Sequence, residues 1–262
     1  MGKLRKKIGA FLERWGLVSQ GYTAINEIKN FLRYGFFNPP TYVEIPDKKV
    51  VYCNIPKVAN SSLKASISNR NFQDDYSVHR EVHGKSKLSN ESAEYFKFSF
   101  VRNPFDRLVS CYESKYHKDA EIKTGVLDLR FYLLGTFAKD RGFDRFVKSV
   151  CLIPNRFAEM HFLSQYLTLC RNGRFKADFI GRFENLEADY EPIRQKYGFA
   201  PLQHYNPSGK GDWRDYYTPK TAKMVYRKYR KDFETFGYQD EYGQLLKYLA
   251  LKERGADPTV LI

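Results

Sequence analysis

Apolar positions along this chain follow two rhythms. Near the start, Ile8, Phe11, Leu12 and Trp15 recur every three to four residues, and Ile25, Ile28, Phe31 and Leu32 repeat the pattern. This spacing predicts two amphipathic helices, ended by Asn38-Pro39-Pro40. After Pro46 the rhythm becomes short continuous runs. Lys49–Asn54, Phe96–Val101 and Asp178–Phe183 read as buried strands. Helices are expected after each of them, at Ser61–Ser68, Pro104 to about Tyr116, and Glu184–Tyr197, with closing helices at Thr218–Phe233 and Glu241–Leu251. Strands alternating with helices predict an α/β fold, a central parallel sheet flanked by helices. The expected organisation is an N-terminal helical extension, residues 1–40, on one domain, residues 41–262.

Charge changes the picture more than size does. The 262 residues carry 44 Lys plus Arg against 30 Asp plus Glu, a net charge of +14, which calls for an anionic partner without naming it. No run is long and apolar enough to span a membrane. The basic start Met1–Lys7 is followed by an apolar stretch too short for a signal peptide, and Lys6 stands where a myristoylation signal needs Ser or Thr. Cys53, Cys111, Cys151 and Cys170 form no CxxC pair, which argues against a zinc site and suits a reducing compartment.

Two strand-to-helix loops carry the candidate chemistry. In the first, Ile55-Pro56-Lys57-Val58-Ala59-Asn60-Ser61-Ser62-Leu63, small residues let the backbone approach a ligand. The helix start supplies N–H groups, Lys57 a charge, and Ser61 and Ser62 hydroxyls. That is an anion cradle, though not a Walker A loop, since GxxxxGK[ST] is absent. An ordinary turn capped by Asn60 or Ser61 is the alternative. In the second, Phe100-Val101-Arg102-Asn103-Pro104-Phe105-Asp106-Arg107-Leu108-Val109-Ser110, Asn103 and Pro104 mark a helix start. Arg102 stands at the strand's carboxyl end, where open α/β sheets bind ligands. A surface Arg–Asp pair with a buried serine is the alternative there.

Together these loops resemble the sulfotransferases that use 3′-phosphoadenosine-5′-phosphosulfate (PAPS), in particular the carbohydrate sulfotransferases of the Golgi type and their bacterial relatives. The first loop resembles their 5′-phosphosulfate loop, and the second their 3′-phosphate motif. Ile180–Leu186, Asn206-Pro207-Ser208 and Trp213–Thr218 are similar to further stretches of that branch. The resemblance covers about residues 48–238. It implies the P-loop-nucleotide-binding-like sulfotransferase fold over residues 41–262 and PAPS as co-substrate, with 3′,5′-adenosine bisphosphate (PAP) as product and no metal. It also implies that Lys57 stabilises the leaving oxygen while Val58, Ala59, Asn60, Ser61, Ser62 and Leu63 hold the phosphosulfate. Arg102 and Ser110 would hold the 3′-phosphate, and Phe183 would lie near the adenine.

An attacking hydroxyl must lose a proton, so a base is needed. Of His79, His83, His117, His161 and His204, the pair His79 and His83 lies between the two motifs and is the preferred choice, with Glu81 behind it. His161 is the rival. Asn155–Cys170 resembles an acceptor-side stretch of carbohydrate enzymes, which makes Arg156 and His161 candidate substrate-binding residues, although Ser164 replaces the usual proline. The expected acceptor is a carbohydrate hydroxyl, on an acidic or lipid-linked sugar if the exposed basic residues serve it, and the basic N-terminal helices suit peripheral membrane contact. The expected location is the cytoplasm of a bacterium, at its inner membrane if those helices bind there; the alternative is the Golgi lumen for a trimmed chain. Two other functions stay open. One is a basic polyanion-binding module using Lys220, Lys223, Arg227, Lys228, Arg230 and Lys231, although no nucleic-acid motif accompanies them and no nucleic-acid partner is expected. The other is a nucleotide kinase on a similar sheet.

Overall fold

The computed structural model describes residues 17–116, 142–203 and 211–256. The expected helix at Ile8–Trp15, the Asn206-Pro207-Ser208 stretch, His117 and His204 lie outside the described residues.

The chain enters as α1 (Leu17–Tyr34), and none of the described helices is long and apolar enough to cross a membrane. The repeat that predicted this helix does not all face inward: Ile25, Ile28 and Leu32 are exposed. The docking residue is Phe31, whose ring lies 5.7 Å from Phe37 and 5.4 Å from Phe157. Asn30 Nδ2 donates to the Phe37 carbonyl at 3.0 Å, and the Phe37 N–H donates to the Arg156 carbonyl at 2.9 Å.

β1 (Thr41–Ile45) turns through Pro46–Lys48 into β2 (Val50–Asn54), which leads to α2 (Asn60–Ser68) and α3 (Asp75–Glu81). β3 (Phe96–Val101) follows, then α4 (Pro104–Lys115), α5 (Gly142–Leu152) and the short α6 (Gln165–Leu169). A small ribbon, β4 (Cys170–Arg171) with β5 (Arg174–Phe175), precedes β6 (Phe179–Arg182) and α7 (Leu186–Tyr197). α8 (Pro219–Lys228), α9 (Arg230–Thr235) and α10 (Glu241–Glu253) close the chain.

The main sheet has the order β1-β2-β3-β6. β2, β3 and β6 are parallel, as expected, but β1 is an antiparallel edge strand. A four-residue connection, Pro46–Lys49, joins β1 to β2, and so short a link permits only antiparallel pairing. The single helix expected over Thr218–Phe233 is two helices meeting at Tyr229. There the Tyr229 hydroxyl donates to the Phe162 carbonyl at 2.6 Å, and the next turn carries Asp232, fully buried, into the core.

The core is aromatic where the strands are central. Tyr52, Phe98 and Phe100 are fully buried, with Phe98 stacked on Tyr52 at 5.2 Å and edge-on to Phe100 at 6.3 Å. Each such side chain contributes roughly 1.5–3 kcal/mol by burial. Gly181 in β6 is a requirement of that packing: a Cβ there would stand 2.3 Å from the Phe100 ring. Because β2 and β3 run parallel, both candidate loops emerge at the same edge of the sheet.

Candidate active site

The first loop is built to leave its helix open. Lys57 (φ 69°) and Ala59 (φ 47°) both adopt the left-handed conformation that non-glycine residues avoid. Ala59 takes the N-cap position, where no side chain caps the helix. Asn60 does not turn back on the loop; its Oδ1 accepts from the Tyr52 hydroxyl at 3.3 Å. The turn is therefore not the ordinary capped one: the first N–H groups of α2 face the loop without a side-chain acceptor, beside a left-handed backbone of the kind that makes an anion-binding nest. Val58 and Leu63 are buried and anchor the loop, while Asn60, Ser61 and Ser62 remain half-buried at its surface. Lys57 reaches to α4, where its Nζ donates to Ser114 Oγ at 2.8 Å. Burial pulls its pKa down to about 8, with Lys115 and Arg102 pushing the same way.

The second loop is closed by its own side chains. Asn103 Oδ1 accepts from the Phe105 N–H at 3.0 Å, and Pro104 opens α4. Arg102 is buried and braced: Nε and Nη2 donate to the two Asp106 oxygens at 2.7 and 2.8 Å, and Nη1 donates to the Lys57 carbonyl at 3.2 Å. Its guanidinium lies 4.1 Å above the Phe183 ring. An Arg102–Asp106 pair is thus formed, but buried rather than at the surface, and the same arginine joins the first loop to Phe183. Ser110 lies half-buried on α4, one turn before the Ser114 that holds Lys57.

The sequence reading missed the residues that bind these parts together. Arg107 is buried, and among the described residues it is held by carbonyls rather than by a paired carboxylate: its Nε donates to the Pro56 carbonyl at 3.0 Å, while Nη1 and Nη2 donate to the Leu163 and Met160 carbonyls at 2.9 and 3.2 Å. It thus ties the Met160–Leu163 stretch to the residue just before Lys57. Gln165 exchanges two hydrogen bonds with the Arg102 backbone, at 3.0 and 2.8 Å. Asp232 in turn holds Ser164 and the N–H groups of Gln165 and Tyr166. Ser164, where relatives were expected to have proline, caps α6.

The expected bases separate clearly. His79 meets the first loop: its Nε2 lies 3.1 Å from Ser61 Oγ and its Nδ1 3.4 Å from Lys64 Nζ. Burial and the Lys64 charge lower its pKa to about 4. His83 is exposed beyond the end of α3 and has no hydrogen-bond partner among the described residues. Glu81 pairs with Arg70 at the surface. His161 is half-buried, with Nδ1 at 2.8 and 2.9 Å from the two oxygens of Glu159. Glu159 itself is only 2% exposed. Arg156 is exposed, and its carbonyl receives the α1–β1 connection through Phe37.

The sequence pattern of the sulfotransferase family matches residues 40–239, and the chain belongs to that family. Among curated proteins it is similar to carbohydrate sulfotransferase 10 of Xenopus laevis, 25% identical over 237 residues, covering 75% of this chain and 67% of that protein. It is also similar to carbohydrate sulfotransferase 14 of Danio rerio, 30% identical over 226 residues (73% and 60%). Carbohydrate sulfotransferase 11 of Mus musculus is 23% identical over 230 residues (73% and 65%). The chain thus spans about two thirds of the length of these relatives, or somewhat less. No solved structure matches it significantly. These findings correct one expectation: the relatives are Golgi carbohydrate sulfotransferases of vertebrates, so the placement in a bacterial cytoplasm does not stand. The cysteines that suggested it are all free, and three of them are buried, where a thiol is inert in any compartment.

Proposed function

We propose that this protein transfers the sulfuryl group of PAPS to a hydroxyl of a carbohydrate, releasing PAP. The observation that carries this reading is the junction at the sheet edge, where the uncapped start of α2 and Lys57 meet Arg102 through the Lys57 carbonyl. One anion fits each side. The α2 N–H groups, with Asn60, Ser61 and Ser62, would hold the phosphosulfate, and Lys57 would meet the charge that develops on the leaving oxygen. Arg102 and Ser110 would take the 3′-phosphate, with Phe183 beside the adenine. Transfer is in line between two oxygens, so the protein's work is placement and charge stabilisation. The relatives' names and the exposed Arg156 support a carbohydrate acceptor, and an acidic sugar suits the net charge of +14. A lipid-linked acceptor would bring in α1, where exposed Ile25, Ile28 and Leu32 adjoin Lys29 and Arg33; cosedimentation with anionic vesicles tests that part alone.

Thermal stabilisation tests the core of the proposal. PAP should raise the melting temperature, while ATP with Mg²⁺ and duplex DNA should not. A shift with ATP–Mg²⁺ instead would favour the kinase reading, and one with DNA the polyanion module. The latter is weakened because its basic patch is partly committed elsewhere: Lys228 reaches the Ile153 carbonyl and Arg230 pairs with Glu234. Mass spectrometry of glycans incubated with PAPS would then identify the acceptor.

A further inference from the structure

Two imidazoles are held at the Lys57 loop, and their hydrogen bonds give them opposite capacities. His79 has Nδ1 against Lys64 Nζ and Nε2 against Ser61 Oγ. An ammonium only donates, so Nδ1 must accept; Nε2 then carries the ring proton and donates to Ser61. Lys64 is buried, yet with a pKa of about 8 it is still an ammonium at neutral pH. No lone pair of His79 is left to receive a proton.

His161 is the inverse. A carboxylate only accepts, so the short contacts to Glu159 place the proton on Nδ1 and leave the lone pair on Nε2. Nε2 has no hydrogen-bond partner among the described residues. Glu159 also accepts from the His161 N–H at 2.8 Å, which fixes the carboxylate as well as the ring. Burial alone would raise the Glu159 pKa, but the His161 imidazole and its hydrogen bonds bring it below the usual carboxylate range. Arg107 holds this stretch against the loop through the Pro56, Met160 and Leu163 carbonyls. The charged and titratable groups facing His161 are Glu159 on its own stretch, Lys57 on the loop, Lys115 on α4 and His79 on α3. Glu27 of α1 is close enough to feel the Glu159 charge: burial, and then that charge, push its pKa up to about 7.

We propose that His161 is the catalytic base that takes the acceptor's proton, that Glu159 is its positioning residue, and that His79 instead orients Ser61 in the phosphate cradle. The assignment rests on the sulfotransfer reading above. In the step it describes, the acceptor oxygen forms a bond to sulfur as its proton passes to His161 Nε2. The bond from sulfur to the bridging phosphate oxygen breaks, and its electron pair leaves on PAP beside Lys57. An imidazole whose other nitrogen is fixed by a buried carboxylate is well suited to this, because the partner sets the tautomer and stabilises the imidazolium that forms.

The test uses the full chain labelled with ¹⁵N-histidine, its resonances assigned by single His→Ala variants. Long-range nitrogen–proton spectra at neutral pH should show His161 as the Nδ1–H tautomer and His79 as the Nε2–H tautomer. A His161 protonated on Nε2 overturns the assignment, whatever the acceptor turns out to be. Kinetics then use PAPS with a chemically desulfated glycosaminoglycan as probe. His161→Ala should lower kcat by at least ~100-fold, with PAP affinity unchanged within about twofold. Glu159→Gln should lower kcat about 10-fold or more, leave the KM for PAPS unchanged, and move the acid limb of the rate–pH profile to lower pH, with Glu159→Asp restoring part of the loss. His79→Ala should weaken PAP binding and leave the acid limb in place; loss of that limb in this variant would overturn the proposal. Failure of the sulfotransfer reading looks different: wild-type protein that PAP does not stabilise and that transfers no sulfuryl group.

Discussion

The two loops at the sheet edge follow one plan, strand to helix with a basic residue between, yet they are finished in opposite ways. The Asn103 loop satisfies its own helix start with a side-chain cap and a proline, and its arginine donates from Nε and Nη2 to the two oxygens of Asp106. The Lys57 loop leaves its helix uncapped, places two non-glycine residues at positive φ and desolvates its lysine. Each of these features costs stability: about 1 kcal/mol for a missing cap and of order 1–3 kcal/mol for a strained backbone residue. The difference teaches where an anion is to supply what the protein withholds. One loop is a rigid abutment; the other, on the proposed reading, is completed by the phosphosulfate.

The largest expected effect breaks the unfinished loop. Lys57→Ala should lower sulfuryl transfer from PAPS at least ~100-fold, the scale of losing one transition-state donor, while the melting temperature stays the same or rises because a desolvated charge is removed. A melting temperature several degrees lower would make Lys57 a structural residue. Next, Arg102→Ala should weaken PAP binding by about 1.5–3 kcal/mol and also destabilise the fold, since it strands Asp106 and releases the Lys57 carbonyl. Calorimetry and chemical denaturation on the same variant separate the two losses.

A pH series sharpens the contrast. The folded Lys57 pKa, about 8, lies below its ordinary value, so between pH 8 and about 10.5 the unfolded chain binds more protons and this residue adds stability as pH rises. A bound anion reverses the preference by favouring the ammonium. PAP affinity should therefore fall as pH rises through about 8, with proton uptake on binding at pH 8 that calorimetry in two buffers detects. The smallest effect is a pair of substitutions. Asn103→Ala should cost about 1 kcal/mol or more of stability for its lost cap and its lost bond to Glu241, whereas Asn60→Ala removes no cap, and its cost of about 1 kcal/mol, from the Tyr52 hydroxyl left without an acceptor, should vanish in a Tyr52→Phe background.

The buried strands and the helices that follow them were legible because each is a local pattern: Val50–Asn54 and Phe96–Val101 are apolar runs, and Asn103-Pro104 is a local cap. β1 was not, because only Val43 of its five residues is buried. α5 went unread although Phe143, Phe146, Val147 and Val150 have helical spacing and are all buried. In the site, Lys57 and Arg102 stood in recognisable loops. Arg107, Glu159 and Asp232 escaped because a buried charge has the same letter as a surface one, and only tertiary contacts tell them apart. The one local signal was Glu159, two residues before His161. The joint preference for His79 and His83 illustrates the reverse: their position between the motifs was suggestive, but the chain leaves His83 exposed while His79 turns inward to Ser61 and Lys64.

The aromatic clasp of α1 has a consequence for how such a protein can be divided. The family pattern begins at residue 40, but Phe31 and Phe37 close over Phe157, and the Glu159 charge reaches Glu27. Cutting the chain at that boundary would bare the Phe157 ring and strip the Arg156 carbonyl of its donor, a few residues from His161. What is inherited as a family and what must be kept together as a working piece are therefore different lengths of chain. A graft that carries only the shared part between relatives would move the Lys57 and Arg102 loops intact and arrive with the Phe157 and His161 stretch missing one wall.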